Sequence, residues 1–165
     1  MEEMRQPDGT GPRCSAEVLS GGVEFITEIL PHRDPFVFVS RAISVVPGKE
    51  ATAEYDVPAD LSVFRGHFPG YPIMPGVLIL EFMAQTGALA LLSLPQYRGK
   101  IVYLAGMDGA RFRRPVLPGT TLRARVKIGT VRRGIGRGGG TAFVGDEEIA
   151  SATMVFAVAG DVARV

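Results

Sequence analysis

The sequence predicts an α+β domain in which an antiparallel sheet curls around one long apolar helix. Three observations predict it. Residues 76–94 are almost uninterrupted apolar sequence, opened by Pro75 and closed by Pro95, and a helix that is apolar all round has to be buried. Residues 120–131 alternate, with Leu122, Ala124, Val126 and Ile128 on one side and Arg123, Arg125 and Lys127 on the other, which is the period of a strand with one wet face. The 165 residues, 46% hydrophobic and 21% charged, are enough for one core and favour a single domain. A curled sheet is an economical cover for one such helix.

Taken in order, residues 1–22 combine acidic residues, Pro and Gly where a signal peptide would need a basic start and an apolar run; they are expected to be a flexible lead-in to a single domain spanning 23–165, in a cytoplasmic protein. Residues 23–30 alternate imperfectly and end at Pro31. Residues 36–46 are rich in β-branched and aromatic side chains and stop at Pro47-Gly48, so they read as a strand whose antiparallel partner is 50–57. A loop over 58–75 leads into the helix, where Pro75 suits the first turn because its missing N–H would be unpaired there anyway. Beyond the helix, 101–105 is a short apolar strand, 110–115 carries Phe112 among Arg111, Arg113 and Arg114, and 138–144 with 149–158 make a hairpin across residues 145–148. The glycine run 134–140 reads as a loose hairpin with local flexibility, because no helix follows it and no Lys-Ser/Thr pair closes it as a phosphate loop would require.

Charge and cysteine content narrow the function. A formal net charge of +1 excludes an overall polyanion binder. The lone cysteine, Cys14, excludes an internal disulfide framework, and two histidines 35 positions apart without nearby ligand-spaced partners make no zinc site. Segment 76–94 is about long enough to span a bilayer, yet Glu81 and Gln85 sit inside it, and a carboxylate at mid-bilayer is costly.

Those two polar residues carry the chemistry. Spaced i, i+4, Glu81 and Gln85 share one helical face, so the amide can orient the carboxyl. A carboxyl desolvated by an apolar helix is expected to have its pKa pushed upward and to hold a proton, while His67 in the preceding loop can take one near neutral pH. The residues alone leave two readings open: a base and an acid, or a loop-structuring histidine and a carboxyl paired with an arginine.

Five blocks bear on that choice: Leu30-Pro31-His32-Arg33-Asp34-Pro35-Phe36, Gly66-His67-Phe68-Pro69-Gly70, Met74-Pro75-Gly76-Val77-Leu78-Ile79-Leu80-Glu81, Met83-Ala84-Gln85, and Ala110-Arg111-Phe112-Arg113-Arg114-Pro115-Val116 with Pro118-Gly119. Their sequence and spacing resemble the (3R)-hydroxyacyl-acyl-carrier-protein dehydratases of the FabZ type, from about residue 25 to residue 158. The resemblance implies a hot-dog fold and a homodimer, often a trimer of dimers, whose sites pair the histidine of one subunit with the carboxylate of the other. It also implies a cofactor-free dehydration in type II fatty acid or related lipid or polyketide synthesis. His67 would take the C2 proton of a 3-hydroxyacyl thioester, Glu81 would protonate the departing hydroxyl with Gln85 orienting it, and the Gly76 N–H at the helix start would serve the enolate oxygen. Phe68 and Tyr103 would line the substrate tunnel, Tyr103 as a gate or as plain core. Arg111, Arg113 and Arg114 would contact the acyl carrier protein or its phosphopantetheine phosphate, or form a solvated face. The FabA-type dehydratase/isomerases carry aspartate where Glu81 stands, which favours dehydration alone. The alternative from another class is a non-catalytic acyl-binding or assembly subunit, against which the retention of both His67 and Glu81 speaks. The stretch Asp60-Leu61-Ser62-Val63 and the glycine-rich 134–140 depart from the family pattern.

Overall fold

The computed structural model describes residues 17–161. It contains β1 (Leu19–Gly21), α1 (Val23–Ile29), β2 (Arg41–Val46), β3 (Glu50–Asp56), α2 (Gly76–Leu92), β4 (Lys100–Phe112), β5 (Thr121–Ile128), β6 (Ile135–Val144) and β7 (Glu147–Asp161). The seven strands form one antiparallel sheet in the order β1-β2-β3-β5-β6-β7-β4. Helix α2 connects β3, near one end of that order, to β4 on the opposite edge. The sheet curls around it, as the fold class predicts.

Burial follows the composition of α2. Eleven of its 17 residues are buried, among them Phe82, Met83, Leu89 and Leu92 with no exposed surface, and each such apolar side chain contributes about 1.5–3 kcal/mol of transfer free energy. Gly87 lets the helix approach β5, since a Cβ there would stand 3.0 Å from Val126 Cγ1. On β5, Leu122, Ala124 and Val126 face the core while Arg123, Arg125 and Lys127 stay exposed, as the alternation predicts.

Elsewhere the structure corrects the sequence reading. Residues 23–29 are helical, and Ile26 and Ile29 are buried one turn apart. Of the lead-in, 1–16, including Cys14, lie outside the described residues, and Leu19–Gly21 is a strand paired with β2. Strand β4 runs 13 residues, so the short strand at 101–105 and the arginine-bearing segment at 110–112 are one element. Beyond Gly134 the glycine run is strand: Ile135–Val144 pairs with β7 along its length and with β5 from Gly138 to Val144, and at Gly136 a Cβ would lie 2.4 Å from the Phe156 ring. The hairpin to β7 turns across Gly145 and Asp146, with Gly145 at φ 58°. Among the described residues no helix is long and apolar enough to cross a membrane, and no cluster of His, Cys, Asp or Glu is fit to hold a metal.

Candidate active site

The expected strand at 36–46 begins only at Arg41, and the reason lies in the site. Instead of joining the ladder, the backbone at Phe36 and Phe38 bonds to a helix side chain. Gln85 Oε1 accepts the Phe38 N–H at 2.9 Å, and Gln85 Nε2 donates to the Phe36 carbonyl at 3.0 Å and to Glu81 Oε1 at 2.8 Å. These partners use both amide protons and fix which end of the amide is oxygen. At 1% exposed, Gln85 is a fully satisfied core residue that holds Glu81, one turn back, in place.

Glu81 has a second neighbour that sequence reasoning missed. His32 Nε2 lies 3.5 Å from Glu81 Oε1, delivered by the 31–35 turn, where the Arg33 guanidinium donates to the carbonyls of Leu30 and His32. The signal was present in the Leu-Pro-His-Arg block, but a contact spanning 49 positions has no local signature. Burial, the largest single influence on the Glu81 carboxyl, pushes its pKa up; the His32 and Gln85 contacts and the attraction to His32 outweigh it and leave the carboxyl below its ordinary range. The expectation that an apolar helix face would leave Glu81 with a raised pKa is therefore corrected: His32 and Gln85, both at Oε1, outweigh the burial.

Both side chains open onto a cavity of about 260 Å³ that runs along α2 past Ala84, Ala88 and Leu91 and is closed by β4–β7 side chains including Tyr103 and Phe156. Tyr103 lines it while remaining 57% exposed, which suits a rim better than core.

His67 stands elsewhere. It follows the helical turn Ser62–Arg65, its N–H donates to the Val63 carbonyl, and it is clamped to Ile73 twice: its own carbonyl accepts the Ile73 N–H, and its Nδ1 donates to the Ile73 carbonyl at 2.9 Å. A carbonyl only accepts, so Nδ1 carries a proton and the lone pair of the neutral ring falls to Nε2. The ring stacks on Phe68, centroids 4.1 Å apart. His67 does not line the Glu81 cavity; the chain does not bring its two candidate proton-transfer groups together.

Gly76 opens α2, and its N–H has no partner among the described hydrogen bonds. The Phe112 ring lies against its Cα, where a Cβ would come within 2.8 Å, so glycine is required there by close packing. The three arginines are largely committed: Arg113 pairs with Glu148 at 3.1 Å and donates to Ser151, Arg114 pairs with Glu147, and Arg111 reaches only its neighbour's carbonyl on Ala110.

Comparison with known proteins places the chain in a family. Residues 30–153 match the FabA-like domain family. The chain is 53% identical over 131 residues to the 3-hydroxyacyl-[acyl-carrier-protein] dehydratase FabZ of Symbiobacterium thermophilum, covering 79% of this chain and 92% of that one. It is 52% identical over 136 residues to the FabZ of Chloroflexus aggregans, covering 82% and 94%. Among solved structures it resembles the dehydratase heterocomplex ApeI:P from Xenorhabdus doucetiae, with a TM-score of 0.69 at 17% identity over 82% of this chain and 91% of that one; at that identity the likeness speaks for the hot-dog fold. With the fold alike and about half the residues identical across more than three-quarters of its length, the chain belongs to the FabA-like domain family and, within it, to the FabZ-type dehydratases.

Proposed function

We propose that this protein dehydrates (3R)-3-hydroxyacyl-acyl-carrier-protein to the trans-2-enoyl thioester in fatty acid biosynthesis, with His67 as base and Glu81 as acid. The observation that carries the reading is identity near 50% to FabZ dehydratases over most of the chain. The free Nε2 of His67 and the oriented carboxyl of Glu81 supply the two groups that such an elimination needs.

The chemistry follows from the substrate. The thioester carbonyl acidifies C2, but hydroxide is a poor leaving group, so a base and an acid have to act on adjacent carbons. His67 Nε2 takes the C2 proton, the electron pair forms the C2–C3 double bond, the C3–O bond breaks, and Glu81 protonates the departing oxygen to give water. The Gly76 N–H, with the positive end of α2 behind it, stabilises the enolate oxygen. Exchange with solvent then removes the proton from His67 and returns one to Glu81. No cofactor enters these steps.

His67 and Glu81 meet across a homodimer. The support lies in what a single chain leaves open: β4 is a 13-residue edge strand that exposes Tyr103, Leu104 and Phe112, and the loop before α2 with its first turn exposes Phe68, Tyr71 and Val77. A long apolar edge is a template for pairing with a second copy. Covering the cavity would also increase burial, the influence that raises Glu81. Phe68 and Tyr103 line the substrate tunnel in this assembly. Of the three arginines, Arg111 is the best placed to meet the carrier protein or its phosphate, because Arg113 and Arg114 already have carboxylate partners.

The test is conversion of a 3-hydroxyacyl pantetheine thioester to the enoyl product, followed by ultraviolet absorbance. Wild type is expected to turn over, and His67→Ala and Glu81→Gln each to lose about 10²–10⁴-fold in kcat. Turnover undiminished in either variant would refute the assignment.

A further inference from the structure

The His32 ring has one polar contact among the described residues, and it is to Glu81. Its Nδ1 is buried and has no hydrogen-bond partner. The ring stacks loosely on Phe36, with centroids 6.5 Å apart and planes 17° apart, a contact that a phenylalanine would make as well. Packing therefore does not account for a histidine here: an apolar ring would keep the stack and remove an unpaired buried nitrogen, which carries a desolvation cost. What a histidine alone adds is a ring nitrogen, Nε2, 3.5 Å from the carboxyl.

We infer that His32 is a positioning residue for the dehydration, its Nε2–H and the Gln85 amide together holding Glu81 Oε1 so that Oε2 is the oxygen presented to the substrate hydroxyl. Gln85 Nε2 and His32 Nε2 both lie on Oε1, at 2.8 and 3.5 Å, and Oε2 has no partner among the described residues. With the Gln85 bond and the His32 nitrogen both at Oε1, the other oxygen is left as the site of the transferable proton and the carboxyl's rotation is restricted, which is where proton-transfer geometry is won or lost. The turn bearing His32 is held in its own right, by Arg33 bonding to the Leu30 and His32 carbonyls, so the contact is not left to a mobile loop. Other titratable groups around Glu81 are few. His32, Glu81 and Tyr103 are those that line the cavity, Tyr55 of β3 packs behind Phe38 and Phe82, and Arg33 is turned to backbone carbonyls. The inference rests on Glu81 being the acid, as proposed above.

The experiment compares wild type, His32→Phe and His32→Gln as full chains. His32→Phe keeps the ring and the stack without a donor; in His32→Gln the amide nitrogen takes the place of Nε2. The expected result is a loss of about 10- to 100-fold in kcat for His32→Phe, with KM little changed and a melting temperature no lower than wild type, and recovery to within a few-fold in His32→Gln. Carboxyl-labelled NMR titration should show the Glu81 midpoint rising in His32→Phe, because a contact that lowers it is gone. Wild-type kcat together with an unmoved Glu81 midpoint in His32→Phe would overturn the inference while leaving the dehydratase reading intact. An inactive wild type would overturn both.

Discussion

The two ends of the candidate chemistry are built in opposite ways. Glu81 sits on the core helix, and its own chain completes its surroundings: Gln85, His32 and, through Gln85, the backbone of Phe36 and Phe38. His67 sits on a loop that fixes its Nδ1 and stacks its ring on Phe68, in a segment that also exposes Tyr71. One half is finished within the protomer; the other faces outward. A buried glutamine and a diverted backbone segment serve one carboxyl while the imidazole keeps to an outward loop, and the homodimer proposed above would bring the two together.

The sharpest way to break that comparison is to mix two dead variants. If each site draws His67 from one subunit and Glu81 from the other, a dimer of one His67→Ala chain and one Glu81→Gln chain has one doubly damaged site and one intact site. Random pairing at equal amounts makes half the dimers mixed, so co-refolded material should recover roughly a quarter of wild-type turnover. A site contained in one chain would recover nothing. Measured against the near-zero rate of either variant alone, this is the largest effect expected.

A smaller effect tests the finished half. Gln85→Leu leaves the Phe38 N–H buried without its acceptor, costing about 1–3 kcal/mol in urea unfolding, and frees Glu81 to rotate. Both stability and kcat should fall. A loss of kcat with unchanged stability would mean that Gln85 orients the carboxyl but does not tie down the 36–40 segment.

The same contrast shows what was legible in the sequence. Helix α2 could be read because a long apolar run between two prolines has few other uses, and β5 because three arginine and lysine residues alternate with the core positions. His67, Glu81 and Gln85 were visible as types and spacing, but not the distance between the first two, which depends on a loop whose course is set by the Ile73 clamp. The 36–40 segment looked like strand because its side chains are those of a strand; only Gln85, 47 and 49 positions away, takes the hydrogen bonds that a sheet would have used. His32 was hidden for the same reason. In the run 134–140, glycine suggested looseness, whereas Gly136 is there so that the Phe156 ring can lie across the strand. Local composition reports local preference, and each of these misreadings is a long-range contact overriding it.

The smallest effect concerns acid stability and follows from Glu81's partners. Its folded-state pKa lies below the ordinary carboxylate range, so its contribution to stability is fully present above that range and is lost as pH falls through the folded value. The carboxyl is partly exposed, which screens the effect to a fraction of the buried-pair value. Glu81→Gln keeps an acceptor for the Gln85 amide but has no charge to lose. Its melting temperature should therefore fall short of wild type by a small margin at pH 7, and the two curves should converge as the solution is acidified below the carboxylate range. If the gap instead widened in acid, the folded pKa would have to lie above the unfolded one, and burial would then outweigh the two neighbours at Oε1.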